Sequence, residues 1–326
     1  MPSARTVQLT SSMLTLDGVT CGSLASSAGG DVSADVIEER VDGSPFTTKH
    51  LGTLKHEDFV LQFGFEMAAP VYDWIAATWA GNFARKDGAV TAVDASLNVR
   101  SEQQFTQALL TKTTIPALDA GSKDAGSFTV AISPESTRAA TGSGKAPPSA
   151  PKARRFLTSG FRLELDGLDC TRVVKVDSFT VEVLVGDSPD GTARDVGSEP
   201  TRIVFPNLRV TIADGPTAAT WQSWFADFVL AGNDDDGKEK NGALVFLAAD
   251  LKTELGRVAL HNVGIAALRQ VPPGANEAVR HLAADLYCER MELTVGTVPP
   301  PPVKVVDPTP TKVPVPPEKV IGGIPR

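Results

Sequence analysis

The stretch LTLDGVTCG at residues 14–22 recurs as LELDGLDCT at residues 163–171, with Leu14 and Leu163 in the same role. A short match alone means little. What constrains the fold is that the segments behind the two copies also match, in the same order. DVSADVIEERVDG in the first body stands where VVKVDSFTVEVLVGD stands in the second, and both are rich in β formers. The alternation is clearest in Val174, Val176, Phe179, Val181, Val183 and Val185. HEDFVLQFGFEM (56–67) then matches RIVFPNLRVTIAD (202–214), where Leu208, Val210 and Ile212 recur every second position. In the first copy Val60, Phe63 and Phe65 are out of step, which predicts a bulge.

The period then becomes helical. APVYDWIAATWAGN (69–82) and GPTAATWQSWFADFVLAGN (215–233) each carry a proline near the start and Gly-Asn at the end. Proline suits a first helical turn and Gly-Asn suits a C-terminal cap. Trp74, Ala77 and Trp79 fall on one helical face, as do Trp221, Trp224, Phe225 and Phe228. Next come ARKDGAVTAVD (84–94) and KEKNGALVFLAAD (238–250). Asp87–Gly88 and Asn241–Gly242 predict tight hairpin turns, because glycine tolerates positive φ. Pro116 and Pro272 close the long segments that follow, and GSFTVAISPES (126–136) and HLAADLYCERMEL (281–293) supply the last strands.

The predicted organisation is mainly β (α+β): two tandem domains, residues 10–140 and 156–297, each with one packed helix. TGSGKAPPSAPKARR (141–155) reads as a linker, since its prolines and glycines favour neither helix nor ladder. The proline-rich residues 298–326 read as an extended tail or docking peptide. A chain of 326 residues, 42% hydrophobic, is long enough for each half to bury a core. Its formal net charge of −8 argues against a nucleic-acid binder, which displays a basic face. Cys21, Cys170 and Cys288 are too few and too widely spaced for a disulfide framework, so reduced thiols are expected. The start, MPSARTVQLTSSM, lacks the apolar core of a signal peptide, and no run approaches the ~20 apolar residues of a membrane helix. Synthesis in the cytoplasm is the expectation.

The Trp-bearing helix, the Lys-Asn/Asp-Gly motif, the apolar strand ALVFL and the closing strand ADLYCERMEL together resemble the tail tube proteins of contractile phage tails. The same resemblance extends to the inner tubes of contractile injection systems. The residues that carry it are Asp73–Trp74 with Lys86–Gly88, and Trp221–Trp224 with Lys240–Gly242. It implies tandem tube-type β-barrel or sandwich domains, no enzymatic activity, no cofactor and no metal. Rings in this family have six domains, so the resemblance implies three chains in a pseudo-six-fold ring or six chains in two stacked rings. Other tube, sheath or baseplate components are the implied partners, within an assembled virion tail or injection particle. Doubling and the proline-rich extension suit a specialised ring, at a baseplate hub or a tube end.

No pattern of chemistry competes with this. TGSGKAPPS lacks phosphate-loop spacing. His50 and His56 stand near Glu57 and Asp58, but in no metal-ligand spacing. NDDDGKEKNG (233–242) fails the calcium-loop pattern, with Gly232 at its first position and Ala243 at its twelfth. Cys21 and Cys170 read as small buried hydrophobes. The functional surface is therefore expected at strand edges and hairpins, with Asp35, Ile37 and Glu39 of SADVIEERVDG, and Asp87, Gly88, Asn241 and Gly242, as intersubunit contacts. The alternative is a non-catalytic ligand- or carbohydrate-binding β protein, which needs a cluster of exposed aromatic side chains.

Overall fold

A computed structural model describes residues 9–40, 42, 45–142, 144–146, 156–188, 197–272 and 280–296. The proline-rich tail and most of the expected linker, including KARR, lie outside the described residues. The chain is mainly β. Its first half runs β1 (Leu9–Leu16), β2 (Val19–Leu24), β3 (Ser26–Ala28), β4 (Val32–Arg40), β5 (Thr47–His56), β6 (Phe59–Phe63) and α1 (Ala69–Trp79). It continues with β7 (Lys86–Asp94), β8 (Val99–Ile115), β9 (Leu118–Asp119), β10 (Phe128–Ser133) and β11 (Ser136–Thr141). The second half runs β12 (Phe161–Leu165), β13 (Val173–Val176), β14 (Phe179–Ser188), β15 (Gly197–Val204), β16 (Leu208–Ala213) and α2 (Ala218–Phe225). A π-helical turn (Ala226–Leu230) extends α2, followed by β17 (Lys240–Leu247), β18 (Glu254–Val271) and β19 (His281–Val295).

The two halves follow one path. In the first, strands pair in the order β1-β7-β8-β10-β6-β3; in the second, in the order β12-β17-β18-β19-β16-β13. Residue registers agree as well. Leu14 and Leu16 face Val90 and Gly88, while Leu163 and Leu165 face Leu244 and Gly242. In the first half β2 pairs with β1, and one residue later β3 pairs with β6, so this bent segment joins both ends of the path. That closure is barrel-like.

The alternation in β6 is regular. Phe59, Leu61 and Phe63 are buried while Val60 is exposed, so the expected bulge is absent. The apolar set simply begins one residue earlier than the expected set built on Val60. Both helices end as the sequence predicts, with Gly81 at φ +84° and Gly232 at φ +71°. All four tryptophans are buried, which removes them from any surface platform.

The halves share one apolar core. Phe65 contacts Phe128, Phe156 and Phe246 at ring-centroid distances of 4.9, 5.3 and 5.3 Å. Phe246 belongs to β17 of the second half, and α1 of the first half lies against β19. This packing accounts for the burial of Val71, Tyr72, Trp74, Ile75, Thr78 and Trp79 around much of α1, whereas α2 buries only Ala218, Trp221 and Trp224.

Each β-turn between the paired long strands is held by an aspartate. Asp94 accepts hydrogen bonds from the Asn98 side chain, the Asn98 and Ser96 amides, and Arg100. Asp250 accepts from Thr253 Oγ1 at 2.6 Å and from the Thr253 and Lys252 amides. The Asn98 bonds hold the Asp94 carboxyl well below its usual range, and the Thr253 bonds pull Asp250 down to about 2. A depressed folded pKa gives stability that is complete above the unfolded value near 3.9 and is lost as pH falls through the folded value. The Asp250 turn is therefore expected to loosen between about pH 4 and pH 2, and the Asp94 turn at lower pH. Amide exchange at Leu251 should accelerate across that window and ahead of Leu97, and Asp250→Asn should flatten the response at Leu251 alone.

Candidate assembly surface

Strand length creates the open edges. β7 has 9 residues against 17 in β8, and β17 has 8 against 18 in β18. Their pairing ends at Lys86↔Ala108 and at Lys240↔Val263, leaving the C-terminal half of each long strand without its β7-type neighbour. In β8 that place is taken by β14 of the other half, through Phe179↔Ile115, Thr180↔Thr114, Val181↔Thr113 and Glu182↔Lys112. Thr114 and Thr180 share a hydrogen bond at 2.8 Å, and Lys112 pairs with Glu182 at 3.1 Å. The corresponding edge of β18 has no strand against it among the described residues. An exposed strand edge carries unpaired backbone donors and acceptors, and so a template for another strand.

Asp35, Ile37 and Glu39 come together on β4, which pairs only with β5 among the described residues. This hairpin is exposed along nearly its whole length. Asp35 pairs with Lys55 at 2.8 Å and Glu38 with Lys49 at 2.6 Å, both solvent-facing. Val32, Val36, Ile37, Leu51 and Leu54 are exposed on the same two strands, with Val36 opposite Leu51. A two-stranded hairpin is marginal on its own in water, and clustered exposed apolar side chains mark a contact surface.

Asp87–Gly88 and Asn241–Gly242 are not hairpin tips. They lie inside β7 and β17, and neither glycine has positive φ. The turn preference of these dipeptides is overridden by a bulge in the neighbouring strand. Asp87 Oδ1 accepts the Gln107 amide at 2.8 Å, and Asn241 Oδ1 accepts the Asn262 amide at 3.3 Å. Gln107 and Asn262 hold φ of +49° and +53°, the left-handed conformation of a bulge residue. Glycine is required for close approach. A Cβ on Gly88 would stand 2.2 Å from the Thr15 carbonyl oxygen, and one on Gly242 2.0 Å from that of Glu164. The lysines brace the same corner: Lys86 Nζ donates to Asp17 Oδ2 at 2.5 Å, and Lys240 Nζ to the Asp166 carbonyl at 2.9 Å.

A third open edge belongs to β12. β2 covers β1, but Leu168–Thr171 turns away, its Leu168 amide bonding back to Leu165, and leaves β12 unpaired on that side among the described residues. A depression of about 920 Å³ lies there, lined by Glu164, Asp166, Asp169, Asn241 and Arg257 among others. No group of three His, Cys, Asp or Glu suited to a metal is present among the described residues. Cys21 and Cys288 are buried, which raises their thiol pKa values; burial pushes Cys170 up to about 11. No helix among the described residues is long and apolar enough to cross a membrane.

Residues 12–138 match the family model described as the T4-like virus tail tube protein gp19. Among solved structures, a chain from the anti-feeding prophage cap, a tube-terminating cap, is 22% identical, with 43% of this chain and 95% of that chain covered and a TM-score of 0.39. A chain from the sheath–tube complex of the extracellular contractile injection system PVC is 20% identical, covering 43% of this chain and 94% of that one at a TM-score of 0.38. Hcp1 from Flavobacterium johnsoniae is 22% identical over 42% of this chain and all of its own, 100%, at a TM-score of 0.25. No curated protein matches the chain.

Proposed function

We propose that this chain is a non-enzymatic structural component of a contractile tail or contractile injection apparatus, built from two copies of a tail-tube-type unit that self-associate through strand edges. The tail tube match of residues 12–138 carries the reading for the first half. The strand order and paired bulges repeated in the second half support extending it there, as a tandem duplication over residues 10–140 and 156–297. Six domains per ring, as the resemblance implies, make three chains one ring layer. The doubling suits a hub or tube-end ring. Asp35, Ile37 and Glu39 then serve as contact residues on the free hairpin. Asp87, Gly88, Asn241 and Gly242 serve the contacts indirectly, by shaping the long strands whose edges are open. Tube, sheath or baseplate proteins would be the other partners.

The observation that carries self-association is that one half's β14 already completes the other half's β8. Negative-stain microscopy across a concentration series should show closed rings or short stacks that increase with concentration. A monodisperse monomer throughout would refute self-association.

A further inference from the structure

The joint inside the chain has an unfilled counterpart at each end. β14 belongs to the β14–β15 hairpin, and the first half carries the equivalent hairpin, β4–β5. Equivalent residues follow from the registers. Ser27 faces Leu61 as Val176 faces Val210, so five residues on, Val32 stands for Val181. Gln107 and Asn262 are the matching bulge residues, so five residues on, Ala267 of β18 stands for Lys112 of β8. Val181 is 2% exposed under β8, whereas Val32 is 49% exposed. Thr113 and Ile115 are buried beneath β14, whereas their equivalents Leu268 and Gln270 are half-buried and exposed.

We propose that the chain links head to tail: β4 of one copy adds antiparallel to the free half of β18 in a second copy, repeating the β14-on-β8 joint, so that both halves lie side by side in one layer. The register places Asp31 opposite Arg269, Val32 opposite Leu268 and Ser33 opposite Ala267. Three observations fit it. The backbone of β4 is correctly presented: the Asp31 carbonyl accepts the Glu57 amide on the β5 side, so Val32, next along, turns its own N–H and C=O to the opposite side. Asp31 and Arg269 are opposite charges on facing strands, and Asp31 would join the ion pair that Arg269 already makes with Asp285. The helix side agrees as well. α1 covers β19 in the internal joint; of the equivalent elements, the turn after α2 carries unburied Val229 and Leu230, and β10 lies beside the exposed Val60 of β6. An interface of this head-to-tail kind closes into a ring or runs on as a filament.

This proposal rests on the self-association reading above and selects the single-layer arrangement over two stacked rings. The test uses full-length chains carrying Ser33→Cys or Ala267→Cys, mixed and mildly oxidised. Ser33 flanks the outward-bonding Val32 and Ala267 flanks Leu268 opposite it, so the two form a non-hydrogen-bonded pair, where side chains are closer. The mixture should give a 33–267 bridge between chains, about tenfold above either variant oxidised alone, since a disulfide forms only with Cβ atoms roughly 4 Å apart. Lys112→Cys with Glu182→Cys in one chain is the control and should bridge within the chain. The double variant Ser33→Cys/Ala267→Cys should give a ladder of linked chains. Rings by microscopy without the mixed bridge would overturn this register and leave self-association standing. Absence of both would overturn both, and a 33–267 bridge formed within a single chain would overturn the head-to-tail arrangement.

Discussion

Phe246→Ala should destabilise the two halves together, by about 3–5 kcal/mol, the usual cost of emptying a fully buried aromatic site. Phe246 is 0% exposed and meets Phe65, Phe128 and Phe156 at 5.3, 5.8 and 5.4 Å. Two of those rings come from the first half and Phe156 leads into the second. Removing the central ring withdraws contacts from both sides at once, and the rigid strands that carry the neighbours limit collapse into the space. Denaturant unfolding should show one transition with its midpoint lowered. Native-state amide exchange should show β10 and β19 losing protection by the same amount. Loss confined to β19 would mean that the two halves unfold as separate units, and that their shared aromatic cluster does not couple them.

Gly242→Ala should cost about 2–3 kcal/mol, at the upper end of overpacking penalties. The added methyl meets the Glu164 carbonyl oxygen and the Leu165 side chain. The oxygen belongs to the backbone of β12, which cannot swing aside as a side chain can. Either β12 separates from β17 or the bulge at Asn262 is lost, and both deform the strand that presents the open edge. Gly186→Ala in β14 is the control: its new methyl meets only a Thr201 methyl at 3.3 Å. There, reduced freedom of the unfolded chain should leave stability unchanged or slightly raised. Equal losses at both positions would remove the close-approach argument for Gly242.

What the residues announce in advance is local. Proline before and Gly-Asn after each Trp-bearing run locate both helices, because those caps act within one turn. The doubled phrase at Leu14 and Leu163 points to matching strands, and the structure gives them matching registers. Asp87–Gly88 and Asn241–Gly242 mislead, since a dipeptide's turn preference says nothing of a neighbouring strand's carbonyl. The left-handed Asn262 has a residue type that tolerates that conformation, but Gln107 does not advertise it. The β14-on-β8 pairing is invisible to any local pattern, because its partners lie more than sixty residues apart in sequence. The segment of Asp35, Ile37 and Glu39 is singled out from sequence as a contact, but that Val32, Val36 and Ile37 stand uncovered is shown only by the fold.

The joint of β14 on β8 is tethered, and dilution does not weaken a contact between parts of one molecule. Both partners belong to one chain, so their encounter is intramolecular and independent of how many other chains are present. In the head-to-tail assembly proposed above, every other seam would be of this tethered kind. Such an object would therefore shed material in two-unit pieces, never singly, and its growth would need half as many collisions as one made from separate units.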